Sequence, residues 1–198
     1  MKTEYVKGKP YFSDNVEKLE QFPYLDKNIE CDVLIIGGGI NGAICGHYFS
    51  QDKIDTVIID KNVVGYGNTS CATALLEYQM DDFANDLKKY FSKNDIVKAY
   101  NIGLKALNDI QKIIDKQGND CFYSKRDTFL FSSNIFDKNA IEREFDFRIN
   151  NGFNVQYLTD SNNKFNFNFK YGILAKDGGA EFNPYLFTKQ LIKNRNKK

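Results

Sequence analysis

Residues Cys31 to Gly42, CDVLIIGGGING, run an apolar segment directly into a G-x-G-x-x-G turn, and no other stretch restricts the fold so tightly. Cys31, Val33, Leu34, Ile35 and Ile36 are nearly continuous in their apolar character. That pattern suits a parallel strand in the middle of a sheet, covered on both faces, better than an alternating, half-wet strand. Gly37 permits the tight turn, Gly39 removes a Cβ where a pyrophosphate approaches the backbone, and Gly42 lets the next helix pack closely on the strand. A helix opening near Ile40 directs unpaired N–H groups and the positive end of its dipole at the phosphates, so the turn needs no lysine or arginine. Gly38, Ile40 and Asn41 complete the expected lining of this turn.

Glycine-rich turns also arise for steric reasons, so the surroundings decide. From Ile40 to Ser50 the chain is helix-compatible, and Thr56 to Ile59 form a second strand, rich in β-branched residues, that ends at Asp60. Strand, glycines, helix, strand and acid in that order make a βαβ-type unit for a dinucleotide. Asp60 follows Gly37 at close to the offset of about 20 positions typical of the carboxylate that binds a ribose hydroxyl. A phosphate on that hydroxyl would be repelled.

Composition narrows the classes further. With 198 residues and 42% hydrophobic content the chain can bury a real core, as one large domain or one and a half. Its 27 basic and 26 acidic residues leave a net charge of +1, which lacks the basic footprint of a nucleic-acid or polybasic membrane binder. Cys31, Cys45, Cys71 and Cys121 share no C-x-x-C spacing and His47 is the only histidine, so no metal site is expected. The N-terminus lacks an apolar core of signal-peptide length, and no run approaches about 18 apolar residues. Free thiols in a reducing cytoplasm are the expectation.

Along the chain, residues 1–29 read as an irregular lead-in broken by Pro10 and Pro23, with Tyr11, Phe12, Phe22 and Tyr24 available to dock on the body. Residues 30–118 are expected to form the dinucleotide-binding domain with a helical extension, and 119–198 part of a second domain with a return helix. Gly65 and Gly67 make a loop, after which Asn68, Thr69, Ser70 and Cys71 to Ala74 look like a second helix start, with Cys71 as a small packed residue. Ser92 and Asp95 cap a helix whose apolar spacing runs to Gly118. Phe122 to Tyr123 and Thr128 to Phe131 read as a hairpin, with Arg126 and Asp127 in its solvated turn. Asn139 to Asn150 read as a charged helix, Val155 to Leu158 and Ile173 to Ala175 as short strands, and Pro184 to Lys193 as a helix opened by proline. The architecture expected is therefore α/β: a Rossmann-like FAD/NAD(P)-binding domain, a parallel sheet with helices, plus part of a mixed-sheet second domain.

GGGING, the strand ending in Asp60-Lys61, the loop GYGNTSCATALL and the later segment YGILAKDGGAEFNPYLFTKQLI together resemble the FAD-dependent oxidoreductases of the glycine oxidase and D-amino-acid oxidase type. The resemblance covers about Glu30 to the C-terminus, and the GYGNTS loop and the D-G-G-x-x-x-P segment are what narrow it to this family. It implies FAD as the cofactor, a first domain that binds it, a second sheet that shapes an amine pocket, and oxidation of the C–N bond of an amine or amino acid by hydride transfer to flavin. It further implies that Gly37, Gly39 and Gly42 line the pyrophosphate, that Asp60 holds the adenosine ribose with Lys61 beside it, and that Asn68, Thr69, Ser70 and Thr73 face the phosphates and ribityl chain. Family members often carry Glu where this chain has Asp60.

The same resemblance implies that the family fold continues well past the helix at Pro184 to Lys193, so this chain corresponds to its N-terminal, cofactor-binding half. A partner chain supplying the other half, or an inactive remnant, are the alternatives; the tail LIKNRNKK reads as solvated. No catalytic residue is assigned. His47 reads as a packing or surface residue, and Tyr123 as a sheet residue.

Overall fold

The computed structural model describes residues 9–14, 16, 22–118 and 120–193. In chain order come α1 (Tyr11–Asp14), β1 (Val33–Ile36), α2 (Ile40–Gln51), β2 (Thr56–Ile59), a 3-10 turn at Asn68–Cys71, β3 (Leu75–Glu77), α3 (Ala84–Leu87) and α4 (Lys93–Gln117). Then follow β4 (Ser124–Ser132), a 3-10 turn at Ile135–Asp137, α5 (Lys138–Ile149), β5 (Val155–Thr159), a 3-10 turn at Asp160–Asn162, β6 (Tyr171–Glu181) and α6 (Pro184–Lys193). The chain divides into two compact units that interleave along the sequence rather than following one another. The first draws its described residues from Met1–Ala74, Asn119–Phe122 and Phe182–Lys198, the second from Leu75–Gly118 and Tyr123–Glu181. The expectations for residues 1–8 of the lead-in and for the basic end at 194–198 lie outside the described residues.

The first unit is built on the parallel pair β1–β2, in register from Val33 opposite Thr56 to Ile36 opposite Ile59. α2 connects them, completing the βαβ unit read from the sequence, and packs closely because Gly46 has no side chain: a Cβ there would lie 2.8 Å from Ile58 Cδ1 and 3.7 Å from Ile35 Cδ1. The position expected for β1, mid-sheet with both faces covered, is not what the described residues show. β1 pairs with β2 alone among them, and Leu34 and Ile36 are 53% and 82% exposed. The reason is that α2 covers the Ile35 side, while no described element covers the other. Cys31 and Asp32 precede the strand.

α6 packs on α2 and on α1, burying Tyr185, Phe187 and Leu191. Of the lead-in aromatics, Phe12 docks: Asn183 Nδ2 donates to its carbonyl at 3.2 Å. Tyr24, at 96% exposure, does not dock, and Tyr11 is also exposed. The helix start expected near Asn68 is only a single 3-10 turn, because Ala74 takes a left-handed φ of 62° and the chain then enters β3. Cys71 is accordingly exposed rather than packed.

The second unit centres on β6. Its first half lies between β4 and β5 and its second half between β4 and β3, all antiparallel. The hairpin expected between Phe122 and Phe131 is instead one long strand, β4, paired to β6 with a bulge between Arg126 and Thr128. Phe122 lies outside it with a φ of 55°, and the supposed turn residues sit within the strand. Arg126 Nη2 meets Glu181 Oε1 at 2.5 Å, and Asp127 Oδ1 accepts from the Asp177 amide at 2.9 Å.

α4 forms where its caps predict: the Ser92 hydroxyl accepts from the Asp95 amide, and Gly118 closes the helix at a φ of 73°. Ile96, Tyr100 and Leu107 of α4, Ile141 and Phe147 of α5, and Ile173 and Ala175 of β6 make the core, with Tyr78 and Phe153 stacked into it. A fully buried ion pair runs through this core. Arg148 Nε donates to Glu144 Oε1 at 2.8 Å, the Tyr100 hydroxyl donates to the same oxygen, and the Ala84 amide donates to Glu144 Oε2 at 2.7 Å. Arg148 Nη1 reaches Gln79 Oε1 and the Tyr78 hydroxyl, so both charges have several partners. Phe165, Phe167 and Phe169 of the preceding loop stack with Phe129 and Phe131 of β4 as a separate aromatic cluster.

Candidate cofactor site

β1 delivers the glycine turn, α2 leaves it, and β2 brings Asp60 alongside. Gly37 adopts a φ of 111°, open to glycine at little cost, and its amide donates to the Ile59 carbonyl at 2.7 Å, tying the turn to β2. Gly42 sits where a Cβ would lie 2.0 Å from the Gly37 carbonyl oxygen and 3.2 Å from Ile35 Cγ2, so the close helix–strand approach read from the sequence is present. α2 begins after Gly39 with no side-chain cap, and its first intrahelical bond is that of Ala43 to the Gly39 carbonyl. The first-turn amides of Asn41 and Gly42 therefore have no partner within the helix and carry the positive end of its dipole.

The turn is braced by residues from the following loop. Gly38 donates to Asp60 Oδ2 at 2.7 Å, Asn62 to Asp60 Oδ1 at 2.8 Å, and Gly65 to the Gly38 carbonyl at 3.0 Å. Thr69, though 29 positions from Ile40, places its Oγ1 at the mouth of α2, accepting from the Ile40 amide at 3.0 Å. Ser70 is fully buried, and its hydroxyl donates to the carbonyls of Gly67 and Tyr66, so it shapes its own loop. The structure thus brings Gly37 to Gly42, Asp60 and Thr69 together. Lys61, Asn68 and Thr73 are exposed, and no hydrogen bond joins their side chains to the turn. Val64 and Gly65 brace Gly38 as well, a role the sequence reading missed; a Cβ on Gly38 would meet Val64 Cγ2 at 3.0 Å. The signal available was the V-V-G-Y-G run, in which Gly65 takes a φ of 76°.

These residues fit a dinucleotide. With the Ile40 amide taken by Thr69, the Asn41 and Gly42 amides at the helix start are the main-chain donors left for a pyrophosphate. A carboxylate has about four acceptor positions, and Asp60 uses one on each oxygen for a backbone amide, leaving others for ribose hydroxyls.

Comparison with known proteins gives the same reading. Residues 32–197 match the family model of the FAD dependent oxidoreductases, DAO. A Bacillus subtilis (strain 168) protein named as a Rieske 2Fe-2S iron-sulfur protein, YhfW, is 31% identical over 125 residues, 63% of this chain and 24% of its own length. Among solved structures, L-amino acid deaminase from Proteus vulgaris superposes with a TM-score of 0.67 at 15% identity, covering 98% of this chain and 48% of that one. Glycine oxidase from Bacillus cereus gives 0.58 at 17% identity, covering 83% and 43%. The chain therefore spans about half the length of the solved structures and a quarter of the curated relative. FAD is the cofactor of the matched family, and the α/β fold agrees with that of the solved neighbours. The chain belongs to the FAD dependent oxidoreductase family.

Proposed function

We propose that this chain is the cofactor-binding portion of an oxidoreductase that oxidises the C–N bond of an amine or amino acid. The observation that carries the reading is the start of α2, where Thr69 caps the Ile40 amide, the Asn41 and Gly42 amides have no partner within the helix, and the Asp60 carboxylate lies alongside. The turn Gly37 to Gly42 then cradles the pyrophosphate, with the first-turn amides of Asn41 and Gly42 as its main-chain donors, and Asp60 accepts from the adenosine ribose. Lys61, Asn68 and Thr73, exposed around the turn, supply outer contacts, and Ser70 keeps the loop in shape. FAD, when bound, supplies the hydride acceptor; the protein contributes orientation and electrostatics. The names of the solved neighbours, which act on amino acids, support a small amine or amino acid as substrate. No disulfide joins the four cysteines among the described residues, which suits the cytoplasm.

The test is competition at the nucleotide half of the site. FAD binding, followed by quenching of flavin fluorescence, is expected to be displaced by ADP but not by an ADP carrying a 2′-phosphate, because the Asp60 carboxylate repels that phosphate. Equal displacement by both would remove Asp60 from its role, and no FAD binding at any concentration would remove the reading.

A further inference from the structure

We infer that Glu77, at the end of β3, holds the ammonium group of an amine ligand on the face of the second unit's sheet turned away from its core. The inference deepens the oxidoreductase reading above and rests on it for the statement that this ammonium belongs to the substrate.

The sheet register builds the site. Glu77 of β3 lies opposite Gly179 of β6, and Gly179 lies opposite Arg126 of β4, so an acid and a base stand in one row on either side of a residue with no side chain. Directly paired residues share a face, and Leu76 with its partner Ala180 packs into the core, so the Glu77 row is on the other face. Leu75 and Glu181 form the next row there. Leu75 is 62% exposed, an uncovered aliphatic surface two positions along the strand from the Glu77 carboxylate.

The charges on this face are not equivalent. Arg126 is already matched, with its Nη2 on Glu181 Oε1. Glu77 is exposed and pairs with no cation among the described residues. It is nevertheless oriented: its Oε2 accepts from Gln79 Nε2 at 3.2 Å, and Gln79 Oε1 in turn accepts from Nη1 of Arg148, which is 2% exposed and locked to Glu144. A buried guanidinium thus fixes the Gln79 amide, and the amide fixes the exposed carboxylate. An exposed glutamate ordinarily keeps its rotamer freedom, whereas one already ordered loses less on binding. With two acids and one base in the set, the unbalanced charge is negative. What fits is a positively charged group of N–H donors on a carbon chain that can lie on Leu75: an alkylammonium, from a simple amine or from an amino acid. Glu77 touches the ligand, and Gln79 and Arg148 are positioning residues.

The experiment is NMR of the full 198-residue chain titrated with three matched compounds: butylamine; norvaline, which is butylamine with a carboxylate on its first carbon; and pentanoate, which lacks the ammonium. Butylamine and norvaline are expected to move the Gln79 side-chain N–H signals, while pentanoate and sodium chloride leave them in place. Glu77→Gln, isosteric and at an exposed position, is expected to weaken both ligands about tenfold or more with an unchanged circular dichroism spectrum. Glu77→Asp keeps the charge but withdraws it from Gln79, so its affinity should fall between wild type and Glu77→Gln; affinity equal to wild type would overturn the positioning by Gln79. Norvaline binding more tightly than butylamine names an amino acid as the source of the ammonium, and butylamine binding as tightly or more so names a simple amine. Three results overturn the inference: no movement of the Gln79 signals with either ammonium compound, the same movement with pentanoate or sodium chloride, or unchanged affinity in Glu77→Gln. The first two are read on the wild-type chain, so they decide the matter whatever the fold of the variants. FAD retention is measured separately: flavin retained with no response to the amines sinks only this inference, and an amine response in a chain that never binds FAD sinks only the functional reading.

Discussion

Gly42 has no room for even a methyl group, since its Cβ would stand 2.0 Å from a main-chain oxygen that cannot swing aside. Gly42→Ala is therefore expected to cost about 1–3 kcal/mol, the usual penalty of forced overpacking, and to weaken FAD binding as α2 is pushed off the turn. Urea unfolding checks the first part and flavin fluorescence the second; an unchanged midpoint would mean that the helix start is looser than it stands here. Gly42 was legible in the sequence because its requirement is steric and local. Asp60 was legible for a related reason, as strand and offset fix where the carboxylate lies. The inward turn of Ser70 was not, because a hydroxyl beside another hydroxyl gives no sign of which one reaches the start of α2; only the folded loop, with the Gly67 and Tyr66 carbonyls in reach of Ser70, decides it. Cys71 was misread because a run of small residues looks the same at a packed helix start and at an exposed turn.

At the scale of elements, the Glu144–Arg148 pair links α5 to the start of α3, to α4 and to the residues just after β3. Removing one member leaves a buried charge uncompensated. Glu144→Ala should lower the unfolding free energy by about 3–5 kcal/mol, whereas Glu144→Leu with Arg148→Met should cost distinctly less, because a buried ion pair gains little over apolar packing. Chemical denaturation of the three proteins tests this, and equal losses in single and double variants would contradict it. The caps of α4 and the proline of α6 announced those helices to within a residue, since capping is local chemistry. β4 did not announce itself as one strand. Lys125 to Asp127, near its start, are charged, and what keeps them extended is the pairing of Lys125 and Arg126 with β6 and the Asp177 amide on Asp127, some 50 residues later in the chain. The cover expected on both faces of β1 is provided on one face only, by α2, because the apolar run states what the strand needs and not which segment supplies it.

Across the whole molecule, burial raises the titration of several groups that are neutral at ordinary pH. Burial, with Asp120 nearby, pushes the Cys121 thiol up from 9.0 to about 12, and burial likewise raises the Tyr78, Tyr100, Tyr123 and Tyr157 hydroxyls. Each folded value lies above the unfolded one, so the stability these groups contribute is complete below the unfolded values and is lost as pH rises toward the folded ones. Stability should fall between about pH 9 and pH 12, and below that range Cys121 should react with thiol reagents far more slowly than the exposed Cys45 and Cys71. A flat stability profile across that range, or Cys121 reacting as fast as Cys45, would count against the described packing. The central claim, that Gly37 to Gly42, Asp60 and Thr69 form a competent FAD site, is tested most directly by the visible absorption spectrum of the purified 198-residue chain after incubation with FAD and desalting. The account predicts flavin bands that stay with the protein and are lost in Asp60→Ala; a colourless wild-type protein that is nonetheless folded by circular dichroism would contradict it.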